Sequence, residues 1–249
     1  MKYERNYLTR VIFQTTLSPI LALETGTPSE FQNRIKERFP LLKEGREIQI
    51  ETKFSQDGNV KTEAKVQRSR WIFSSQDGAK TVTIAANLFS LEYTKYSCSD
   101  DMKDDFAFAW AAFRSLYGVE VVERVGLRYI NEITLPTGEP FKWDEYIDNN
   151  LIRATLGFGQ PEQHKLARSL HTTFWNGEDH RIRFQFGMPN SEFPNSIAKK
   201  EFVLDFDCCT TEPISADKVA DCLTSYNSIL ETLFERSIAA GLRDLMRPE

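Results

Sequence analysis

Arg124-Val-Gly-Leu-Arg-Tyr-Ile-Asn131 is the stretch that decides the fold, because its residues alternate as in a strand with two different faces. One face is apolar and carries Val125, Leu127 and Tyr129. The opposite face carries Arg124 and Arg128, with Gly126 between them. A glycine inside a strand indicates that another group comes close to the backbone. We therefore predict that the apolar face enters a core and that the other face either binds a ligand or packs closely on a neighbouring strand.

The same order of elements is predicted on both sides of this stretch. Upstream, the Asp77-Gly78 turn joins two short strands, and a third strand follows at 89–93. Downstream, Asn176-Gly177 is the turn and 201–206 the third strand. Each third strand is followed by a long amphipathic helix, and the second helix is predicted to continue to about residue 246. We predict an α+β fold of two antiparallel β-meander sheets, each covered by a long helix.

The two parts can be compared residue by residue. A shift of 113 residues superimposes chemically similar side chains: Phe89 on Phe202, Glu92 on Asp205, and Phe113 on Tyr226. An internal duplication explains this pattern, and so does the general frequency of meander-plus-helix units. The predicted organisation is a first half at 1–135, a connecting region rich in Gly and Pro at 136–168, and a second half at 169–249. The two halves could equally form one compact unit.

Composition bounds the class of protein. The 249 residues carry a net charge of −5, with 41% hydrophobic and 27% charged residues, which is typical of a globular chain and argues against a nucleic-acid partner. No apolar run reaches the roughly 18–20 residues of a membrane span, and the first residues lack the apolar segment of a signal peptide. The 4 cysteines form no C-x-x-C pair, which is typical of buried thiols in a reducing compartment. We therefore predict a cytoplasmic protein with no membrane partner.

Arginines occur in pairs that share a strand face. The pairs are Arg68 with Arg70, Arg124 with Arg128, and Arg181 with Arg183. Because guanidinium groups bind phosphate and carboxylate bidentately, these residues are candidates for an anion site. The alternative is that they pair with Glu and Asp on neighbouring strands.

Two acidic patterns are candidates for other chemistry. Asp205 and Asp207 share a strand face, and paired carboxylates can hold Mg²⁺, although such alternation is also typical of a solvated sheet face. The strand before the predicted Asp57-Gly58 turn alternates Glu47, Gln49, Glu51 and Lys53. It loosely resembles the acidic-and-lysine strand of tunnel enzymes that bind triphosphates, but Gln49 stands where a second Glu would be needed. The three histidines fit no nucleophilic triad, so we assign no catalytic residue and predict no cofactor.

Several segments together carry a family resemblance. They are Leu8-Thr-Arg-Val-Ile-Phe-Gln14, Ser18-Pro-Ile20, Phe31-Gln-Asn-Arg-Ile35, Phe39-Pro40, the segment 70–78, Tyr93-Thr-Lys-Tyr96, the stretch 124–131, Phe234-Glu-Arg-Ser-Ile238 and Leu242-Arg-Asp-Leu-Met246. In these segments the chain resembles a sporadically distributed family of uncharacterised bacterial accessory proteins of similar length. The resemblance carries over no activity or site residue. It implies a role in defence or in a toxin–antitoxin pair more than one in core metabolism.

These observations favour a non-enzymatic binding protein that recognises a protein partner or an anionic ligand through an arginine-bearing sheet face. The alternative is a metal-dependent, phosphate-handling enzyme with a sheet-lined pocket, which would use Asp205 and Asp207. The sequence leaves the oligomeric state open.

Overall fold

The computed structural model describes residues 3–54, 60–157, 159 and 164–247, and of residues 46–54 and 60–69 it describes the backbone alone. Within this part of the chain, nine strands form one antiparallel sheet in the order β2-β3-β4-β5-β1-β7-β10-β9-β8. The strands are β1 (Leu8–Thr16), β2 (Leu41–Phe54), β3 (Val60–Ser74), β4 (Lys80–Ala85), β5 (Leu88–Tyr93), β6 (Val121–Val122), β7 (Arg124–Leu135), β8 (Ser169–Asn176), β9 (His180–Met188), β10 (Lys200–Thr210) and β11 (Ile214–Ser215). The short strands β6 and β11 pair separately.

The expected α+β class with antiparallel strands is confirmed, but one sheet stands where the sequence predicted two. The reason is the position of the stretch 124–131. As β7, it pairs with β1 on one side and with β10 on the other, so it joins the strands of both halves. The boundary predicted at residue 135 therefore comes at the end of a strand that both halves share.

The α-helices of the described chain are α1 (Ala22–Thr25), α2 (Ser29–Ile35), α3 (Ser99–Tyr117), α4 (Asn149–Leu156), α5 (Val219–Ser237) and α6 (Ala240–Met246). Gly118 ends α3 in the left-handed conformation, with φ of 62°. The predicted C-terminal helix is interrupted, because Ile238 and Ala239 are extended and Ile238 pairs with Ile147. None of the described helices combines the length and the apolar character needed to cross a membrane.

Both long helices lie on the same face of the sheet. The Phe106 ring of α3 meets Phe13 of β1 at 4.8 Å and Phe89 of β5 at 5.9 Å between ring centroids. On α5, Asn227 accepts a hydrogen bond from the Tyr129 hydroxyl of β7. These contacts form one buried apolar core. We call this the inner face of the sheet, and the opposite face, which carries the arginines, the outer face.

The predicted hairpin turns have different outcomes. Gly78 has φ of 69° at the turn between β3 and β4, as the Asp77-Gly78 dipeptide predicts. Asn176-Gly177 connects β8 to β9, and the Gly177 amide donates to the His180 carbonyl at 2.8 Å. The turn predicted at Asp57-Gly58 lies outside the described residues, as do the side chains of the alternating strand before it.

Candidate functional site

The outer face brings three of the predicted arginines and both predicted aspartates together. β10 lies between β7 and β9, and its Asp207 is in register with Arg128 of β7 on one side and with Arg183 of β9 on the other. Residues two apart on a strand point to the same face, so Arg124 and Asp205 belong to the same patch. We call Arg124, Arg128, Arg183, Asp205 and Asp207 the arginine–aspartate cluster.

Asp205 is the centre of this cluster. Arg128 binds it with two hydrogen bonds, from Nε to Oδ1 at 2.8 Å and from Nη2 to Oδ2 at 2.7 Å. Arg183 adds a bond from Nη2 to Oδ2 at 2.9 Å. The Asp205 side chain is only 3% exposed. These hydrogen bonds to Asp205 raise the pKa of Arg128 more than burial lowers it.

Arg124 is held more loosely than its neighbours. Its Nη2 lies 3.5 Å from Asp207 Oδ1, and its side chain is 37% exposed. A Cβ atom on Gly126 would come within 2.8 Å of the Arg124 guanidinium, so the glycine leaves space for that group to lie over the strand. The group that approaches the backbone at Gly126 is therefore an arginine of the same strand.

The cluster has an excess of positive charge beside an exposed aromatic ring. Asp207 lies 3.5 Å from Arg124 Nη2 and 3.9 Å from Arg183 Nε. The cluster therefore contains three guanidinium groups and two carboxylates, a surplus of one positive charge. Phe174 of β8 is in register with Arg183, points to the outer face and is 60% exposed. An arginine group with an adjacent exposed aromatic ring is a composition enriched at protein–protein interfaces.

The other predicted arginines lie apart from the cluster. Arg181 is exposed near the beginning of β9, where its Nε donates to Asn176 Oδ1 at 3.0 Å. Arg70 lies on β3, which β4, β5 and β1 separate from β7, a distance of roughly 19 Å at the usual spacing between strands. Arg68 is also on β3, but its side chain lies outside the described residues.

The geometry of Asp205 and Asp207 favours ion pairing over metal binding. Both oxygens of Asp205 already accept hydrogen bonds from guanidinium groups, and a metal ion would have to displace them. In the described part of the chain, no group of three or more His, Cys, Asp or Glu residues could hold a metal ion.

The sequence did not predict a cavity on the inner face, which we call the tyrosine cavity. It has a volume of about 130 Å³ and lies between β7, α5 and the beginning of α3. Its wall includes Tyr96, Tyr129, Asn131, Asp100, Glu231 and Phe234. The segments 93–96, 124–131 and 234–238, on which the predicted family resemblance rests, each contribute to this wall. The sequence contains these three segments but does not show that they meet. The cavity forms only when these distant parts of the chain pack together, which the sequence alone does not predict.

The comparisons with known proteins add no family to this description. No protein-family model matches the chain, and no curated protein matches it in sequence.

Proposed function

We propose that this chain is a non-enzymatic binding protein that recognises an acidic protein partner through the outer face of its sheet. The observation that carries the proposal is the arginine–aspartate cluster, with its surplus of positive charge beside the exposed Phe174. Arg128 and Arg183 are fixed by Asp205, so they give the patch a defined geometry. Arg124 is the cation with the weakest internal partner, and a carboxylate of the partner would bind there.

Capture from a lysate of the native host tests the proposal. The immobilised chain is compared with Arg124→Glu and Phe174→Ser, and captured proteins are quantified by mass spectrometry. We expect at least one protein to be captured by the native chain and to be lost, by tenfold or more, with both variants. The pair of Arg124 with Asp207 is partly exposed and worth about 0–1 kcal/mol, so Arg124→Glu should remain folded.

Arg181→Glu is the matched control. Arg181 lies on the same face, two residues from Arg183, but outside the cluster. Its substitution by Glu changes the charge by the same amount as Arg124→Glu. A specific partner should be retained by this control, and its capture should weaken as salt is added. The proposal is wrong if every captured protein is retained equally by the native chain, Arg124→Glu and Phe174→Ser.

A further inference from the structure

The tyrosine cavity contains an acceptor without a donor. Asn131 is 2% exposed and lines the cavity, and its Nδ2 donates to the Leu204 carbonyl at 3.2 Å. Among the residues that the structure describes, no donor reaches its Oδ1. This oxygen lies at the cavity wall with no donor among the described residues, so it can accept a hydrogen bond from a ligand.

A chain of hydrogen bonds leaves the Tyr96 hydroxyl at the cavity wall as a hydrogen-bond acceptor. Asn227 Nδ2 donates to Glu231 Oε1 at 3.1 Å, so its Oδ1 faces Tyr129 and accepts the Tyr129 proton. The 3.2 Å bond between the two hydroxyls must then be donated by Tyr96 to Tyr129. Both hydroxyl protons are used inside the protein, so Tyr96 Oη, which also interacts with the Ser99 side chain, can act towards a ligand only as an acceptor. Burial raises the pKa of Tyr96 to about 12, so it stays neutral near pH 7.

The charge at the wall is negative. Glu235, on the same helix as Glu231, is neutralised by Arg243 at 3.1 Å. Glu231 has only the amide of Asn227 as a partner, and within the described ranges no Lys or Arg lies within ion-pair distance of it. Glu231 is exposed, so its carboxylate stands where the cavity meets solvent. The rings of Tyr96, Tyr129 and Phe234 add aromatic faces, which attract cations.

We propose that the tyrosine cavity binds a small primary amine in its ammonium form. An ammonium has three N–H donors, and the acceptors that the wall offers include Asn131 Oδ1, the free oxygen of Glu231 and Tyr96 Oη. The volume of about 130 Å³ sets the size of the apolar body, because an apolar cavity of about 150 Å³ holds benzene. The apolar part of the monoamine is therefore no larger than a benzene ring, as in benzylamine, and this site is separate from the outer face.

Titration calorimetry with butylamine and benzylamine tests the proposal. We expect saturable 1:1 binding of at least one amine. Benzyl alcohol and benzoate, which keep the ring but lack the cation, should bind at least tenfold more weakly. Glu231→Gln keeps the bond with Asn227 and should weaken amine binding tenfold or more, whereas Asp221→Asn, an exposed carboxylate on the same helix, should leave it unchanged.

Tyr96→Phe is a second variant that removes one acceptor, and it should weaken binding without removing the charge. Arg124→Glu should bind the amine as the native chain does, so the outcome is independent of the proposed partner. The proposal is overturned if neither amine binds, if benzyl alcohol binds as tightly as benzylamine, or if Glu231→Gln and Tyr96→Phe both retain native affinity.

Discussion

At the scale of single residues, Asp105 is the buried charge that fixes α3 to the sheet. It is 5% exposed and accepts hydrogen bonds from Lys80 Nζ at 2.7 Å, Tyr93 Oη at 2.5 Å and Arg38 Nη1 at 3.0 Å. These donors come from β4, β5 and the segment after α2, so one carboxylate connects four parts of the chain. Burial raises the pKa of Asp105, but the three hydrogen bonds outweigh burial and lower it below its ordinary value.

We predict that Asp105→Asn destabilises the protein by about 3 kcal/mol. The amide removes the carboxylate that Lys80 and Arg38 share, although Arg38 keeps Asp104 as a partner. The loss stays at the lower end for a buried pair because Arg38 and Lys80 are 35% and 36% exposed. Urea unfolding measures the change. Asp104→Asn is the control, because Asp104 binds the same Arg38 but is 72% exposed. Equal losses of unfolding free energy for the two variants would contradict the role of Asp105 as the buried charge that fixes α3 to the sheet.

The lowered pKa of Asp105 also predicts the sign of an acid effect. The unfolded chain binds the proton more tightly than the folded one, so the contribution to stability is present above the unfolded pKa of about 3.9. It is lost as the pH falls through the lower folded-state pKa. Urea unfolding between pH 2 and 6 should show the native chain and Asp105→Asn converging in acid. A difference that stays constant over this range would refute the prediction.

The sequence identifies the charged side chains of these ion pairs but not the partners that they contact. Alternation within one strand placed Arg124 with Arg128 and Asp205 with Asp207, and the structure bears out both placements. By contrast, Asp105 is one of several acidic residues near the beginning of a helix, and nothing local marks it as buried. Its donors are identified only when β4, β5 and α3 are packed together.

At the scale of elements, Gly187 determines how the edge strand β8 attaches to β9. Gly187 has φ of 133°, a conformation that other residues rarely adopt, and a Cβ atom there would lie 2.1 Å from the Ser169 carbonyl oxygen. Gly78 offers a comparison, because its φ of 69° is also left-handed but a Cβ atom would meet nothing within 4 Å.

We predict that Gly187→Ala costs about 3 kcal/mol, since backbone strain and a steric clash add. Gly78→Ala, the matched control, carries the strain alone and should cost about 1 kcal/mol. Urea unfolding gives the two values, and hydrogen exchange should show loss of protection in β8 only for Gly187→Ala. Similar costs for both variants would show that the clash is relieved without opening the strand pair.

The elements themselves were largely predictable, but their assembly was not. Period-two alternation and Asx-Gly turns are local signals, and they predicted the strands around residues 77–78 and 176–177. The pairing of β1 with β7 joins residues more than one hundred positions apart, for which the sequence has no local signal. Together with the pairing of β7 with β10, it converts two predicted sheets into one.

At the scale of the whole molecule, residues 8–117 and residues 124–237 follow the same order of a strand, a helical segment, a meander and a long helix. The order across the sheet agrees, since β3-β4-β5-β1 on one side corresponds to β8-β9-β10-β7 on the other. Each half also has an outer-face ion pair between corresponding strands: Arg10 with Glu92 at 2.8 Å, and Arg128 with Asp205 at 2.7 Å. An internal duplication accounts for these correspondences, and it stays an interpretation, as does the accessory role implied by the family resemblance.

A continuous sheet and core predict that the halves unfold together. Phe13 of β1 is fully buried at the junction, where it is in register with Leu127 of β7. Phe13→Ala should cost about 3–5 kcal/mol. Because every 1.4 kcal/mol is a factor of about ten, hydrogen exchange in the most protected amides should accelerate by roughly 10² or more in both β4 and β9, which belong to different halves. Val121→Ala, at a site 60% exposed, should leave both strands protected. If exchange accelerates in β4 while β9 keeps its native protection, the halves are separate folding units that share only a strand pairing.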